Sequence, residues 1–166
     1  MIWAIVIGII IYILFRFFGD LNKDKYDLQG QTLAEKFKFI VNFLNESAFN
    51  GQGEINTLDK RSFNLYEIGK NQIIHFYYST GHLTITWKYK YFQKEVVHER
   101  QFDNVRNISL FDQQKFAEIM IKEMAIIIAN HKNNVNPYLW LKKVLEVIPA
   151  YPANKIGDLL PQNIDL

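Results

Sequence analysis

Histidine is the residue type in this sequence best suited to metal binding or proton transfer near neutral pH. The chain has four histidines: His75, His82, His98 and His131. Strand periodicity predicts that His75 and His98 lie on opposite faces of a sheet. His82 falls in a predicted turn and His131 at the end of a predicted helix. Because a metal site needs several such ligands to converge with a carboxylate, we predict neither a metal site nor a cofactor.

Catalytic motifs are also weak. His98 and Glu99 are neighbours on a predicted strand, so their side chains point to opposite faces and cannot act on one substrate atom. Ser109 is explained as a helix cap, and no serine stands in a nucleophile elbow. Gly51 and Gly53 lack the third glycine and the lysine of a phosphate-binding loop. We therefore predict that the protein is not an enzyme.

Composition narrows the class further. The chain has 166 residues, of which 49% are hydrophobic and 15% aromatic, so it can bury a core and does not have the composition of a disordered chain. Its 19 basic and 17 acidic residues are interspersed and give a net charge of only +2. This balance lacks the basic surface expected for nucleic-acid binding. The absence of cysteine excludes disulfides and thiolate metal sites.

The segment 72–102 is predicted to form the central sheet. Leu83, Ile85, Trp87 and Tyr89 alternate with polar residues, which is typical of a half-buried strand. A two-residue turn at Thr80-Gly81 places Tyr78 opposite Leu83, Phe76 opposite Ile85 and Ile74 opposite Trp87, all on one face. Strands at Ser62–Ile68 and Lys94–Phe102 complete a four-stranded antiparallel meander. In this register Glu95 lies across from Lys90, and His98 lies across from Trp87.

The opposite face of this sheet is the best candidate for a binding surface. An apolar island with a polar border is typical of interaction sites, although Tyr, Thr and Val are also favoured on any sheet by propensity. The predicted partner-binding residues are Tyr66, Ile73, His75, Tyr77, Thr84, Thr86, Lys88, Val97 and Glu99.

Along the chain, helices are predicted before and after the strands of the sheet. Thr32 and Glu35 form a capping box before a helix at about Leu33–Asn45. Residues 50–60 have no periodicity and are predicted to form a loop. Ser109 caps a helix ending near His131, and Asn136 caps another that begins at Pro137 and stops at Pro149. The fold class is therefore α+β, with a domain at 32–148 whose helices pack on one sheet face, and an irregular tail at 149–166.

The N-terminal run Ile2–Phe18 is apolar apart from Arg16 and predicts a single transmembrane helix within residues 1–19. A signal peptide is the alternative, but the run lacks a basic segment before it and a small-residue cleavage site after it. A buried helix would show a polar face, which is missing here. Residues 20–31 are predicted to be a juxtamembrane linker. Arg16, Lys23 and Lys25 follow the span, so the positive-inside rule places the domain in the cytoplasm.

These features predict a membrane-tethered protein-interaction module, of the accessory or immunity type, with an unidentified protein partner and self-association as an alternative. The exposed edges of strands Ser62–Ile68 and Lys94–Phe102 offer a second route to a partner. The alternative function is a small-ligand-binding domain whose pocket lies between sheet and helices, lined by Trp87, Tyr89 and His98.

Overall fold

The computed structural model describes residues 2–92, 94–134 and 137–160. The architecture is α+β, with an N-terminal apolar helix, a five-stranded antiparallel sheet and helices packed on one sheet face. The helices are α1 (Ile2–Asp27), α2 (Leu33–Lys36), α3 (Lys38–Phe49), α4 (Leu110–Asn134) and α5 (Pro137–Val147). The strands are β1 (Glu54–Asp59), β2 (Ser62–Tyr66), β3 (Gln72–Ser79), β4 (His82–Tyr91) and β5 (Lys94–Phe102).

The predicted register of β2 to β5 is confirmed. Ile74 pairs with Trp87, and Tyr78 pairs with Leu83. Across β4 and β5, Trp87 pairs with His98. The turn at Thr80 and Gly81 has positive φ at both residues, 52° and 77°, as a two-residue hairpin turn with the native twist requires.

The prediction of four strands is wrong, because residues 54–59 form β1 instead of part of a loop. All six residues of β1 are exposed, so burial imposes no apolar alternation on them. Backbone pairing with β2 holds the strand, and its register shifts between Thr57 and Asp59. The sheet order β1-β2-β3-β4-β5 makes β2 an interior strand. The exposed edge strand on this side of the sheet is therefore β1, and not Ser62–Ile68 as predicted.

The core lies between one sheet face and helices α2 to α4. Phe63, Ile74, Phe76, Leu83 and Ile85 are fully or almost fully buried on this face. They meet residues of α3 and α4 such as Ile40, Leu44 and Met120, which are also 0% exposed. The predicted caps are confirmed: the Thr32 and Glu35 capping box starts α2, and Ser109 Oγ accepts a hydrogen bond from the Asp112 N–H at the start of α4. The single helix predicted at Leu33–Asn45 is interrupted at Phe37.

Helix α1 continues well past the apolar run. The segment predicted as a linker is helical to Asp27, and a turn at residues 28–32 leads into α2. Along its apolar part the side chains are exposed, for example 79% for Trp3 and 82% for Phe15. By length and composition α1 could cross a membrane.

The C-terminal part is more ordered than an irregular tail. After α5, short 3-10 helices occupy Ile148–Ala150 and Ala153–Leu159. The Trp140 indole N–H donates to the carbonyl of Leu159 at 2.8 Å, and the Trp140 ring packs edge-on against Phe92. These contacts place α5 at the end of the sheet that carries the β4–β5 turn. The predicted cap Asn136 and residues 161–166 lie outside the described residues.

Candidate functional site

The predicted partner-binding residues all lie on the sheet face that points away from the helices, here called the outer face. Strand pairing arranges them in three rows across β2 to β5. The first row contains Tyr66, Ile73, Lys88 and Val97; the second contains Asn64, His75, Thr86 and Glu99; the third contains Ser62, Tyr77, Thr84 and Gln101.

The middle row is internally hydrogen-bonded. His75 Nδ1 lies 2.8 Å from Asn64 Oδ1, and the Thr86 hydroxyl donates to Glu99 Oε2 at 2.9 Å. The four polar side chains of this row therefore form two hydrogen-bonded pairs. Side chains that are already paired lose less entropy on contact with a partner than unpaired ones do.

The apolar members do not form one island. His75 separates Ile73 from Tyr77 along β3, a distance of roughly 13 Å for four strand residues. Lys88 stands between Ile73 and Val97 across the sheet. Tyr77 and Val97 are 44% and 52% exposed. The outer face is therefore a mixed polar and apolar surface with separated apolar contacts.

The pocket considered between sheet and helices is filled by the protein itself. Trp87 is 4% exposed, and its indole N–H donates to Gln72 Oε1 at 3.1 Å. Tyr89 is 9% exposed. His98 Nε2 lies 2.9 Å from a carboxylate oxygen of Glu123 on α4. These three residues thus belong to the packed interface between the sheet and α4.

A group of buried and half-buried polar residues joins α1 to the sheet domain, and sequence reasoning missed it. We call Asp24, Asp27, Lys36, Tyr78 and Arg106 the polar junction. Asp24 is only 1% exposed. Its carboxylate accepts hydrogen bonds from the backbone N–H groups of both turn residues, Thr80 and Gly81, the latter at 3.0 Å, and from Arg106 Nη2 at 2.8 Å.

Asp27 holds the second half of the junction. Its carboxylate accepts a hydrogen bond from the Tyr78 hydroxyl and pairs with Lys36 Nζ at 2.7 Å. Lys36 also donates to the backbone carbonyl of Arg106 at 2.6 Å. Residues from α1, α2, β3 and the segment before α4 therefore meet at one point, and the end of α1 is fixed to the hairpin turn.

Electrostatics inside the junction follow from this geometry. Burial raises the pKa of the Tyr78 phenol, and the hydrogen bond to Asp27 and the negative charges of Asp27 and Asp24 raise it further. Burial alone would lower the pKa of the Arg106 guanidinium, but its hydrogen bond and charge interaction with Asp24 raise it overall. Tyr78 therefore remains a donor, and Arg106 remains a cation.

One sequence signal points toward the junction. Asp20, Asp24 and Asp27 follow the apolar run at spacings of four and three, which place them on one helical face. Such a stripe favours a helix that continues past the apolar run with its acidic side chains on one face. The partners themselves, Thr80, Gly81 and Arg106, are too distant in sequence for spacing to identify.

Beside the junction lies a large cavity of about 1300 Å³, here called the α1 cavity. Its walls are one face of α1, residues 28–34 and the hairpin between β1 and β2.

Within the ranges that the structure describes, no group of three or more His, Asp or Glu side chains converges in a way that could hold a metal ion.

Comparison with known proteins gives one local similarity. A family model described as the IS66 C-terminal element, which is transposase-related, matches residues 131–162. The match covers 32 of the 166 residues and includes the end of α4, α5 and the 3-10 helices. It leaves out the sheet, α1 and the polar junction, and a segment of this length does not show the family. Comparison with curated proteins and with solved structures gives no match.

Proposed function

We propose that the protein is a membrane-anchored protein-interaction module, in which α1 crosses the bilayer and the outer face of the sheet binds a protein partner on the cytoplasmic side. The observation that carries this proposal is α1 itself. Its apolar side chains are exposed over several turns, whereas its C-terminal end is fixed to the domain through buried Asp24. Water solvates such an apolar surface poorly, and hydrocarbon solvates it well.

The polar junction supports an anchor that positions the domain as well as tethering it. Because α1 is a continuous helix to Asp27 and Asp24 binds the β3–β4 turn, the domain cannot swing freely about a linker. The ten residues of β4 extend roughly 33 Å from that turn. The helix from Phe18 to Asp24 adds roughly 9 Å, so the outer face would lie within about 42 Å of the hydrocarbon edge.

Membrane insertion is tested with the full chain and with a form lacking residues 1–18, which keeps the whole junction. We expect the full chain to remain in the membrane fraction after a carbonate wash and the shortened chain to be soluble and folded. A full-length gene product that is soluble, with an N-terminus after Gly19, would show signal-peptide cleavage instead. A reporter fused after Leu166 tests on which side of the membrane the domain lies. Reporter activity only outside the cytoplasm would contradict the orientation inferred from Arg16, Lys23 and Lys25.

The outer face is tested by combining Tyr66→Lys with Val97→Glu. These two residues end the first row, and Val97 is 52% exposed, so the domain should stay folded by circular dichroism. A matched control is Ile68→Glu, because Ile68 is 78% exposed in the turn after β2, outside the three rows. Truncating an interface anchor typically costs about 2 kcal/mol or more in binding.

Partners are captured by chemical cross-linking. We expect the unchanged chain and the control to capture them and the double variant to lose them. Light scattering of the purified chain shows whether the partner is a second copy. If the folded double variant still retrieves the same partners as the control, the outer face is not the binding site.

A further inference from the structure

The α1 cavity lies where the apolar run of α1 ends. Its α1 wall consists of Phe17, Leu21, Asp24 and Lys25, of which Phe17, Leu21 and Lys25 recur at spacings of four and therefore share one helical face. Along this wall the aromatic and aliphatic side chains of Phe17 and Leu21 give way to the charged side chains of Asp24 and Lys25. The rise of a helix puts Lys25 roughly 12 Å beyond Phe17 along the axis.

The opposite wall is the hairpin between β1 and β2, with Lys60 and Arg61 at its turn. None of Lys25, Lys60 and Arg61 forms an ion pair with a carboxylate within the described ranges. The two carboxylates in the lining are already engaged. Asp24 binds Arg106 and the turn N–H groups, and Asp59 accepts the backbone N–H of Arg61 at 2.6 Å. With three basic and two acidic side chains, the lining carries a net positive charge beside the apolar side chains of Phe17, Leu21 and Leu28.

This gradient matches the layers of a membrane surface. The polar headgroup regions together add about 10–15 Å to the ~30 Å hydrocarbon core. With Phe17 at the edge of the hydrocarbon, a lysine side chain from position 25 can extend back to the level of the lipid phosphates. The cavity volume of about 1300 Å³ exceeds the roughly 300–1,000 Å³ of ordinary small-molecule pockets. It can therefore hold a headgroup together with part of an acyl chain.

We propose that the α1 cavity binds one anionic phospholipid, with its phosphate between Lys25, Lys60 and Arg61 and an acyl chain along Phe17 and Leu21. This site rests on the proposed membrane insertion of α1. Charge complementarity selects an anionic headgroup over a zwitterionic one. The apolar side chains of Phe17, Leu21 and Leu28 in the lining select a lipid over a free phosphate ion. Bound lipid would fill the space between α1 and the β1–β2 hairpin and would reinforce the orientation set by the polar junction.

The test uses the full chain in an uncharged detergent and three soluble probes. They are a short-chain phosphatidylglycerol, a phosphatidylcholine with the same chains, and inorganic phosphate. Binding is measured by calorimetry, and stoichiometry by native mass spectrometry. We expect one phosphatidylglycerol per chain, bound at least about tenfold more tightly than either other probe, since each basic residue near an anionic lipid contributes about a factor of five.

The decisive variant combines Lys60→Gln with Arg61→Gln, which leaves the backbone bonds of the turn in place. Removing two such charges should weaken phosphatidylglycerol binding roughly thirty-fold. The matched control combines Lys70→Gln with Lys90→Gln, which removes the same charge at the far end of the sheet. The control should bind like the unchanged chain.

Three results would overturn the proposal. Equal binding of the two lipids would show that charge plays no part, and phosphate binding as tight as the lipid would show an anion site without lipid specificity. Unchanged binding in the Lys60 and Arg61 variant would place the lipid elsewhere. Carbonate extraction of the same proteins separates this question from the anchor. A chain that stays in the membrane but fails the lipid test refutes only the lipid site, and a chain that leaves it refutes the anchor.

Discussion

Replacing Asp24 with alanine should loosen the whole domain from α1. The substitution removes an acceptor that is only 1% exposed and serves the N–H groups of Thr80 and Gly81 as well as Arg106. A buried donor left without a partner costs roughly 1–3 kcal/mol. The Arg106 side chain is 30% exposed, so water can partly solvate its freed charge and that contribution is small. We expect a total loss of about 3 kcal/mol.

For a chain of this size such a loss should lower the unfolding midpoint by about 6–12 °C. The measurement is thermal unfolding of the full chain in mild detergent, followed by near-ultraviolet circular dichroism. Asp24→Asn keeps one oxygen acceptor and should lie between the unchanged chain and Asp24→Ala. Limited proteolysis provides a second measurement, since a released α1 end should expose residues 28–31 to cleavage.

The matched control is Asp103→Ala. Asp103 pairs with His82 at 2.7 Å, but its side chain is 61% exposed, and exposed ion pairs contribute little to stability. If Asp24→Ala and Asp103→Ala lower the midpoint equally, and neither opens residues 28–31 to protease, then the polar junction does not hold α1 to the sheet.

Three further predictions concern other residues in the interior of the domain. Trp87→Ala should cost about 3–5 kcal/mol in the free energy of unfolding, because Trp87 is buried in the core, whereas Thr86→Ala on the outer face should change it little; equal thermal shifts would contradict the strand assignment. Because the folded-state pKa of Tyr78 is raised, its contribution is complete below the unfolded tyrosine pKa of about 10 and is lost as pH rises above it. Midpoints measured from pH 9 to 11 should therefore fall more steeply for the unchanged chain than for Tyr78→Phe, and parallel slopes would contradict a raised pKa of Tyr78 in the fold. Gly81→Ala should destabilise the hairpin, because Gly81 has φ +77° and an added Cβ would lie 2.6 Å from a nitrogen of Arg106; an unchanged midpoint would contradict this packing.

Local patterns were sufficient for much of the sheet. The alternation from Leu83 to Tyr89 and the Thr80-Gly81 turn together determined which side chains face the core, because a shift of one residue would have moved all of them to the other face. The helix caps at Thr32 and Ser109 could likewise be predicted, since each involves residues only three apart. The same local reasoning failed for β1, which is exposed at every position and therefore has no periodic pattern to detect.

The sequence by itself also determined that the chain begins with a long apolar helix, because that property depends on a continuous run of residue types. Only the tertiary structure determined which contacts form at the end of this apolar run. The positive-inside rule gives carboxylates such as Asp24 little weight, yet in the fold Asp24 meets donors 56 to 82 residues away in the chain. A buried carboxylate is stable only when such donors converge on it. Convergence of this kind is a product of the packed sheet and helices, and no local spacing encodes it.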